Sequence, residues 1–168
     1  MSTLQQCFFI FSVLISLVVL GNYLIHMYYI GKQKVVELEI QNLKHEKILD
    51  IELTQEWNFG FRYNKADLIL LENQLIIYVY KYNLKGVIKQ AQPIVLLYKT
   101  PCNLISSKGF SYIQPILEVV VKENSVILKT KMNSLFQSKI VSFEFYLSVS
   151  ETLKVFSFMD LQNEDAKK

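Results

Sequence analysis

The sequence predicts one N-terminal transmembrane helix followed by a mainly β domain, either a small antiparallel barrel or a sandwich of about six or seven strands. Two observations carry this prediction: a long apolar stretch without charged side chains at the start of the chain, and short alternating apolar segments separated by polar turn residues after it. The length of 168 residues suits one anchor and one domain. We divide the chain into an anchor (1–30), a linker (31–49), a β-rich domain (50–161) and a polar tail (162–168) that we expect to fray.

The anchor is predicted from Cys7–Ile30, because the chain contains no Asp, Glu, Lys or Arg between Met1 and Gly31. These 24 residues would form a helix about 36 Å long, against a bilayer hydrocarbon core of about 30 Å. Aromatic and polar side chains collect toward its C-terminal end. Tyr23, Tyr28 and Tyr29 are expected to form an interfacial aromatic belt there.

A cleaved signal peptide and a buried helix of a soluble protein are the alternatives to an anchor. A signal peptide begins with basic residues and ends with small ones. This chain begins Met-Ser-Thr-Leu-Gln-Gln, and its apolar stretch ends in bulky residues. The stretch is apolar on all sides, whereas a core helix of a soluble protein is apolar on one face. A retained anchor is therefore the preferred interpretation.

Flanking charge predicts the side of the membrane on which the domain lies. Upstream of the apolar stretch there is only the α-amino group, whereas Lys32, Lys34, Lys44 and Lys47 follow it. The positive-inside rule then places the C-terminal domain in the cytoplasm. The two cysteines, Cys7 and Cys102, lie on opposite sides of the expected boundary, so no disulfide is expected between them.

The linker allows two interpretations. Val36, Ile40 and Leu43 recur at helical spacing, which favours a helix continuing from the membrane. Val36, Leu38 and Ile40 also alternate, so a strand is the alternative.

The clearest strand pattern is Lys139–Val149, in which Val141, Phe143, Phe145, Leu147 and Val149 share one face. Two hairpins are predicted: Leu68–Leu71 with Leu75–Tyr82, and Leu117–Lys122 with Ser125–Lys131. Ile94–Lys99 is a further strand candidate, and Pro101 and Pro115 are expected to punctuate the chain. Leu153–Met159 fits either a last strand or a short helix.

The stretch ADLILLENQLIIYVYKYN resembles the opening hairpin of pleckstrin-homology-like domains in small, uncharacterised bacterial membrane proteins. In that family a short strand, a tight polar turn and a longer apolar strand begin a partly open barrel. The resemblance implies a fold and no specific function. The sequence departs from the pattern because it lacks a clear C-terminal capping helix.

The sequence contains no catalytic, cofactor-binding or metal-binding pattern, so we expect a protein that is not an enzyme. His26 lies in the anchor and His45 in the linker, and neither has a nucleophile at a recognised spacing. Cys102 has no nearby base. Metal ligands are not clustered, and there is no Gly-rich phosphate loop. Arg62 is the only arginine, which argues against nucleic-acid binding, and no small-molecule substrate is indicated.

Two surface features remain as candidates for function. No acidic residue occurs between Glu72 and Glu118, a segment that contains Lys81, Lys85, Lys89, Lys99 and Lys108. These lysines are expected either to contact an anionic leaflet or to lie on a solvated surface. Tyr78, Tyr80 and Tyr82 alternate on a strand that is apolar on both faces, so something should cover both faces: the domain itself, the linker helix or a partner.

Three functions fit these features. The first is a membrane-tethered β module that binds a protein partner or the membrane surface. The second is an accessory subunit of a membrane complex, in which the anchor makes the main contacts through Ser12, Ser16, Asn22 and His26. The third is an immunity-type protein that neutralises a toxin at the membrane.

Overall fold

The computed structural model describes residues 3–55, 65–83, 88–99, 107–122, 124–133 and 138–159. A long helix comes first, a run of strands follows, and a short helix ends the described chain. In chain order the elements are α1 (Thr3–Ile40), β1 (Glu46–Gln55), β2 (Lys65–Leu71), β3 (Gln74–Asn83), β4 (Ile88–Tyr98), a 3-10 turn (Ser107–Gly109), β5 (Tyr112–Lys122), β6 (Ser125–Asn133), β7 (Ser138–Tyr146) and α2 (Val149–Met159).

Helix α1 is 38 residues long, so it extends well past the 24-residue stretch that the sequence predicts as an anchor. Its most apolar 18-residue window has a mean hydropathy of 2.4, and none of that window is buried in the protein. The helix is therefore long and apolar enough to span a membrane. It continues through the first part of the predicted linker, where Gln33, Val36 and Ile40 become buried. Val36, Leu38 and Ile40 are therefore helical, as the preferred interpretation predicts, and the strand alternative at these residues is wrong. The strand β1 begins later in the predicted linker, at Glu46.

The seven strands form one closed ring, in which each strand pairs with the next and β7 pairs with β1. Six of these interfaces are antiparallel, as predicted. The interface between β4 and β5 is parallel, which corrects the expectation of an antiparallel sheet throughout. Tyr112, the first residue of β5, pairs with Val95 in the middle of β4, and Pro115 pairs with Tyr98, so the two strands run in the same direction.

This connectivity gives the ring two distinct ends. The last residues of β1, β3 and β6 and the first residues of β2, β4 and β7 lie at one end, which we call the near rim. The turns from β2 to β3 and from β5 to β6 lie at the other end, the far rim. Helix α1 first meets the ring at Gln90 and Ala91, close to the start of β4 and therefore at the near rim.

Both predicted hairpins are confirmed. Leu71 pairs with Gln74 across the turn formed by Glu72 and Asn73, and Lys122 pairs with Ser125. Asn73 adopts a φ of 59°, a left-handed conformation that asparagine tolerates better than most residues do.

Several strand boundaries differ from the predictions. β1 begins at Glu46 rather than at residue 50, and β4 begins at Ile88, before the predicted Ile94. Pro115 does not interrupt the chain but lies within β5, where its carbonyl accepts a hydrogen bond from Thr130 Oγ1 at 2.7 Å. Pro101 and the 162–168 tail lie outside the described residues.

The predicted strand Lys139–Val149 is too long at its C-terminal end, because β7 stops at Tyr146 and Val149 begins α2. The Val149 side chain is 73% exposed and does not join the inward-facing row. A capping box explains the change of structure: Ser148 Oγ and N lie 2.6 and 2.8 Å from a Glu151 carboxylate oxygen. Leu153–Met159 is accordingly helical, and the chain does have a C-terminal helix, contrary to the expectation.

Helix α2 lies at the far rim. Val155 is buried and belongs to the core inside the ring, and Lys154 forms an ion pair with Glu46 at the start of β1. The core inside the ring, which we call the inner core, is formed by alternating strand residues such as Leu68, Leu75 and Phe143. Residues of the opposite strand parity face outward, and α1 covers part of them.

Candidate dock of the long helix and near-rim surface

The second half of α1 packs on the outer face of β2, β3 and β4. Val36 and Ile40 of the helix are almost fully buried there. The strands contribute a second cluster of buried residues, which we call the outer cluster: Ile69, Leu71, Ile76, Tyr78, Tyr80, Ala91, Ile94 and Leu96, joined by Phe110. Strand β3 is apolar on both faces, and the linker helix packs on its outer face and shields it from water. The side chain of Tyr82 lies outside the described part of the chain.

Two polar residues of the helix bond to the near rim. Ala91 N donates a hydrogen bond to His26 Nδ1 at 3.0 Å. Gln90 Nε2 lies 3.3 Å from Asn22 Oδ1 and 3.4 Å from the Asn22 carbonyl oxygen. Ala91 sits at the register shift between Tyr78 and Tyr80, where the β3–β4 ladder is irregular. His26 therefore satisfies a backbone donor on β4 and does so as the tautomer with an unprotonated Nδ1.

The tyrosines under the helix have perturbed hydroxyl groups. Burial raises the pKa of Tyr80, and the Asp67 carboxylate beside it raises this pKa further. The pKa of Tyr78 is also raised, first by burial and then by Glu37 and Asp67. The Tyr78 hydroxyl is buried and has no hydrogen-bond partner among the described residues. Both tyrosines therefore stay neutral and act in packing rather than in acid–base chemistry.

The 3-10 turn Ser107–Gly109, which precedes β5, packs directly against α1. A Cβ atom added to Gly109 would overlap Val36 Cγ2, and Val36 is fully buried. Glycine at this position therefore lets the chain approach α1 more closely than any other residue would.

The contacts of α1 with the ring, which we call the dock, begin at Asn22 and His26. The helical residues before these contacts are Thr3–Gly21, and these 19 residues give about 28 Å of helix. This length is close to the thickness of a bilayer hydrocarbon core, about 30 Å.

The three predicted belt tyrosines occupy different surroundings. Tyr23 and Tyr28 are more than half exposed. Tyr29 packs against the outer cluster, and its hydroxyl forms a hydrogen bond with Ser111.

The predicted helix-packing residues also separate. The hydroxyls of Ser12 and Ser16 each donate to a backbone carbonyl four residues earlier, at 2.9 Å. Asn22 Nδ2 donates to the Val18 carbonyl in the same way, and its side-chain oxygen faces Gln90. Asn22 and His26 therefore contact the ring of their own chain.

Four of the five predicted surface lysines are described, and they lie at different places on the ring. Lys81 and Lys89 lie at the near rim, where β3 ends and β4 begins. Lys99 follows the far end of β4, about 33 Å along the strand from Lys89. Lys108 lies beside Gly109, which contacts α1 at Val36, about 15 Å further along the helix than His26. Lys85 lies outside the described residues.

Lys89 is fixed on the outer face of the ring. Its Nζ lies 3.7 Å from the centre of the Tyr80 ring and 3.6 Å from an Asp67 carboxylate oxygen. A cation held over an aromatic face and beside a carboxylate is ordered by both contacts. The sequence alone did not reveal this arrangement, because Lys89, Tyr80 and Asp67 come from three strands.

Within the described residues, no group of three His, Cys, Asp or Glu side chains could hold a metal ion. His45 donates from Nδ1 to the Leu43 carbonyl at 2.9 Å, and Cys102 lies outside the described residues. An open groove near the end of α1 is lined by Lys34, Glu37, Leu38, Ile40, Gln41, His45 and Lys47. Its polar groups are partly engaged with each other, since Lys47 pairs with Glu37 at 3.4 Å.

No protein-family model matches the sequence, and no curated protein matches it either.

Proposed function

We propose that this protein is a non-enzymatic β module tethered to a membrane by a single helix, with its near rim held against the bilayer surface. The observation that carries this proposal is the division of α1 into two halves. Thr3–Gly21 is apolar and uncovered, and the following turns are docked on the ring. A helix that is apolar on all sides and has no protein cover is stable in lipid rather than in water.

The docked half supports a retained anchor over a cleaved signal peptide. Cleavage after the apolar stretch would cut a continuous helix whose next turns supply Asn22, His26, Val36 and Ile40 to the dock. Removal of these residues would expose the outer cluster to water. The helix therefore acts both as the anchor and as a structural element of the module.

A cytoplasmic location of the ring is part of the proposal. Lys32, Lys34, Lys44 and Lys47 follow the apolar segment, and residues 1–31 contain no lysine or arginine. This asymmetry agrees with the positive-inside rule.

We also propose that the ring is a pleckstrin-homology-like barrel of the kind the β2–β3 hairpin resembles in bacterial membrane proteins. The closed course of the strands and the helix α2 after β7 support it. The parallel β4–β5 pair is a departure from a simple antiparallel meander. A fold of this class would provide a rigid binding platform and would not specify a partner.

The contacts of the anchor favour the tethered module over an accessory subunit held by its transmembrane helix. Ser12 and Ser16 bond to their own backbone, and Asn22 and His26 bond to the ring. These side chains are thus engaged within the chain, and lipid remains as the partner of Thr3–Gly21.

Membrane extraction tests the proposal. The full chain, carrying an N-terminal epitope tag, is expressed and its membranes are washed with alkaline carbonate. We expect the chain to stay in the membrane pellet with the tag attached. A chain released into the supernatant, or one that has lost the tag, would contradict the retained anchor. Replacing Leu14 and Leu17 with Lys provides the matched control, because two charges at the centre of the span should release the chain.

A further inference from the structure

We infer that the near rim of the ring is a binding surface for anionic lipid headgroups, formed by Lys81, Lys89, Lys131 and Lys139. This inference rests on the proposed membrane anchoring and adds the class of ligand. It differs from the lysine segment that the sequence predicts, since Lys99 and Lys108 do not belong to the surface and two lysines from the β6–β7 hairpin do.

The topology brings these four lysines to one end of the ring. Lys81 lies two residues before the end of β3, and its partner in the ladder is Gln90. Lys89 is the second residue of β4. Lys131 and Lys139 lie close to the end of β6 and the beginning of β7, where Met132 pairs with Lys139. Sequence separation of up to 58 residues hides this grouping from inspection of the sequence.

The dock sets the distance of this surface from the bilayer. Gln90 touches Asn22, the residue that follows the apolar segment Thr3–Gly21. Lys89 precedes Gln90 directly, so it lies within about one helical turn of the hydrocarbon boundary. Lysine side chains extend their ammonium groups on long aliphatic stems, which suits the headgroup layer. Charges at this depth lie well within one Debye length, about 8 Å at physiological salt, of lipid phosphates.

Among the described residues, the strands that supply these lysines carry little acidic charge. β3, β4 and β6 contain no acidic residue, and the only carboxylate of β7 is Glu144, toward the far rim. The acidic residues that β1 and β2 contribute at this end are Asp50, which is paired with Lys65 at 2.6 Å, Glu52, and Asp67, which lies beside Lys89.

At the far rim, by contrast, acidic and basic residues are mixed. Lys122 pairs with Glu144 at 3.0 Å, and Lys154 pairs with Glu46. Lys122 and Lys154 are thus each paired with a carboxylate, whereas β3, β4 and β6 contribute lysines and no carboxylate to the near rim, so the near rim is the end more complementary to an anionic leaflet.

The test compares two triple variants with the same change in net charge. K81Q/K131Q/K139Q removes near-rim charge and leaves Lys89 in its contact with Tyr80, so the dock is preserved. K99Q/K122Q/K154Q is the matched control at the other side of the ring. Each full-length chain is reconstituted in phosphatidylcholine vesicles, and spin-labelled phosphatidylserine and phosphatidylcholine report by electron paramagnetic resonance which lipid contacts the protein.

We expect the wild type and the control to prefer phosphatidylserine by at least about five-fold, the effect of a single lysine at an anionic leaflet. The near-rim variant should contact the two lipids almost equally, and so should the wild type at 1 M salt, where the Debye length is about 3 Å. If the wild type contacts phosphatidylserine and phosphatidylcholine equally, the inference is overturned. Equal contact is the result expected if the near rim binds an acidic protein instead of lipid. The inference is also overturned if the control variant loses its preference for phosphatidylserine as much as the near-rim variant does. Failure of the anchor is distinguished beforehand, because such a chain would be released by alkaline extraction.

Discussion

Replacing Gly109 with Ala should loosen the dock of α1, because the new methyl group would overlap Val36 Cγ2. Val36 cannot move away easily, since it is fully buried and β-branched residues in helices have one preferred rotamer. Overpacking of this kind costs about 1–3 kcal/mol. We therefore expect the Gly109→Ala chain in mild detergent micelles to lose about 2 kcal/mol of unfolding free energy in urea, measured by circular dichroism.

A double-mutant cycle makes the cause specific. Val36→Ala alone removes the equivalent of two buried methylene groups, worth about 1.6 kcal/mol. In the double variant the methyl group added at position 109 fills part of this space, so the two losses should fall short of their sum by about 1–2 kcal/mol. Gly31→Ala is the control, because a Cβ there meets nothing within 4 Å. It should stabilise the helix by up to about 1 kcal/mol. Additive losses at Gly109 and Val36, or no effect of Gly109→Ala, would refute the proposed contact.

Three further predictions concern the dock and the far rim. Tyr78→Phe should leave the unfolding free energy unchanged or raise it, because its buried hydroxyl has no partner among the described residues, whereas Tyr80→Phe should lower it by about 1 kcal/mol; equal losses in urea unfolding would contradict this. His26→Leu should leave Ala91 N–H unpaired and speed its hydrogen exchange, whereas the exposed Met27→Leu should not; equal exchange rates would exclude the His26 contact. Hydrogen bonds to Ser148 lower the pKa of Glu151, so its contribution to stability is present above the ordinary carboxyl pKa of about 4.3 and is lost as the pH falls below that value. Glu151→Gln should therefore reduce the unfolding free energy at pH 7 and flatten its dependence on pH between about 5 and 3. An unchanged pH profile would contradict this prediction.

Local patterns were sufficient to predict the hairpins and the apolar helix. The Glu72–Asn73 turn lies between two apolar runs, and the alternation of Val141, Phe143 and Phe145 is a signal of a half-buried strand. The capping box at Ser148 and Glu151 was also readable, but the continued alternation through Leu147 and Val149 led to a predicted strand instead.

The position of α1 on the ring could not be read from local patterns. His26 and Ala91 are 65 residues apart in the sequence. The donor to His26 is the backbone N–H of Ala91, which does not depend on the side chain at that position. Val36 and Gly109 meet for a similar reason, since the fit depends on a missing Cβ rather than on a motif. The grouping of Lys131 and Lys139 with Lys81 likewise requires the order of strands around the ring.

The depth of α1 in the membrane tests the central claim most directly. Single cysteines are introduced along the exposed face of the helix, at Leu14, Tyr23, Met27 and Lys34, in full-length chains with Cys7 and Cys102 replaced by Ser. Each chain is reconstituted in vesicles opened by freeze–thaw and treated with a membrane-impermeant maleimide. We predict protection at position 14 and labelling at 23, 27 and 34, because the ring contacts α1 from Asn22 onward. Protection that continues through position 27 would place the near rim inside the bilayer and contradict the account.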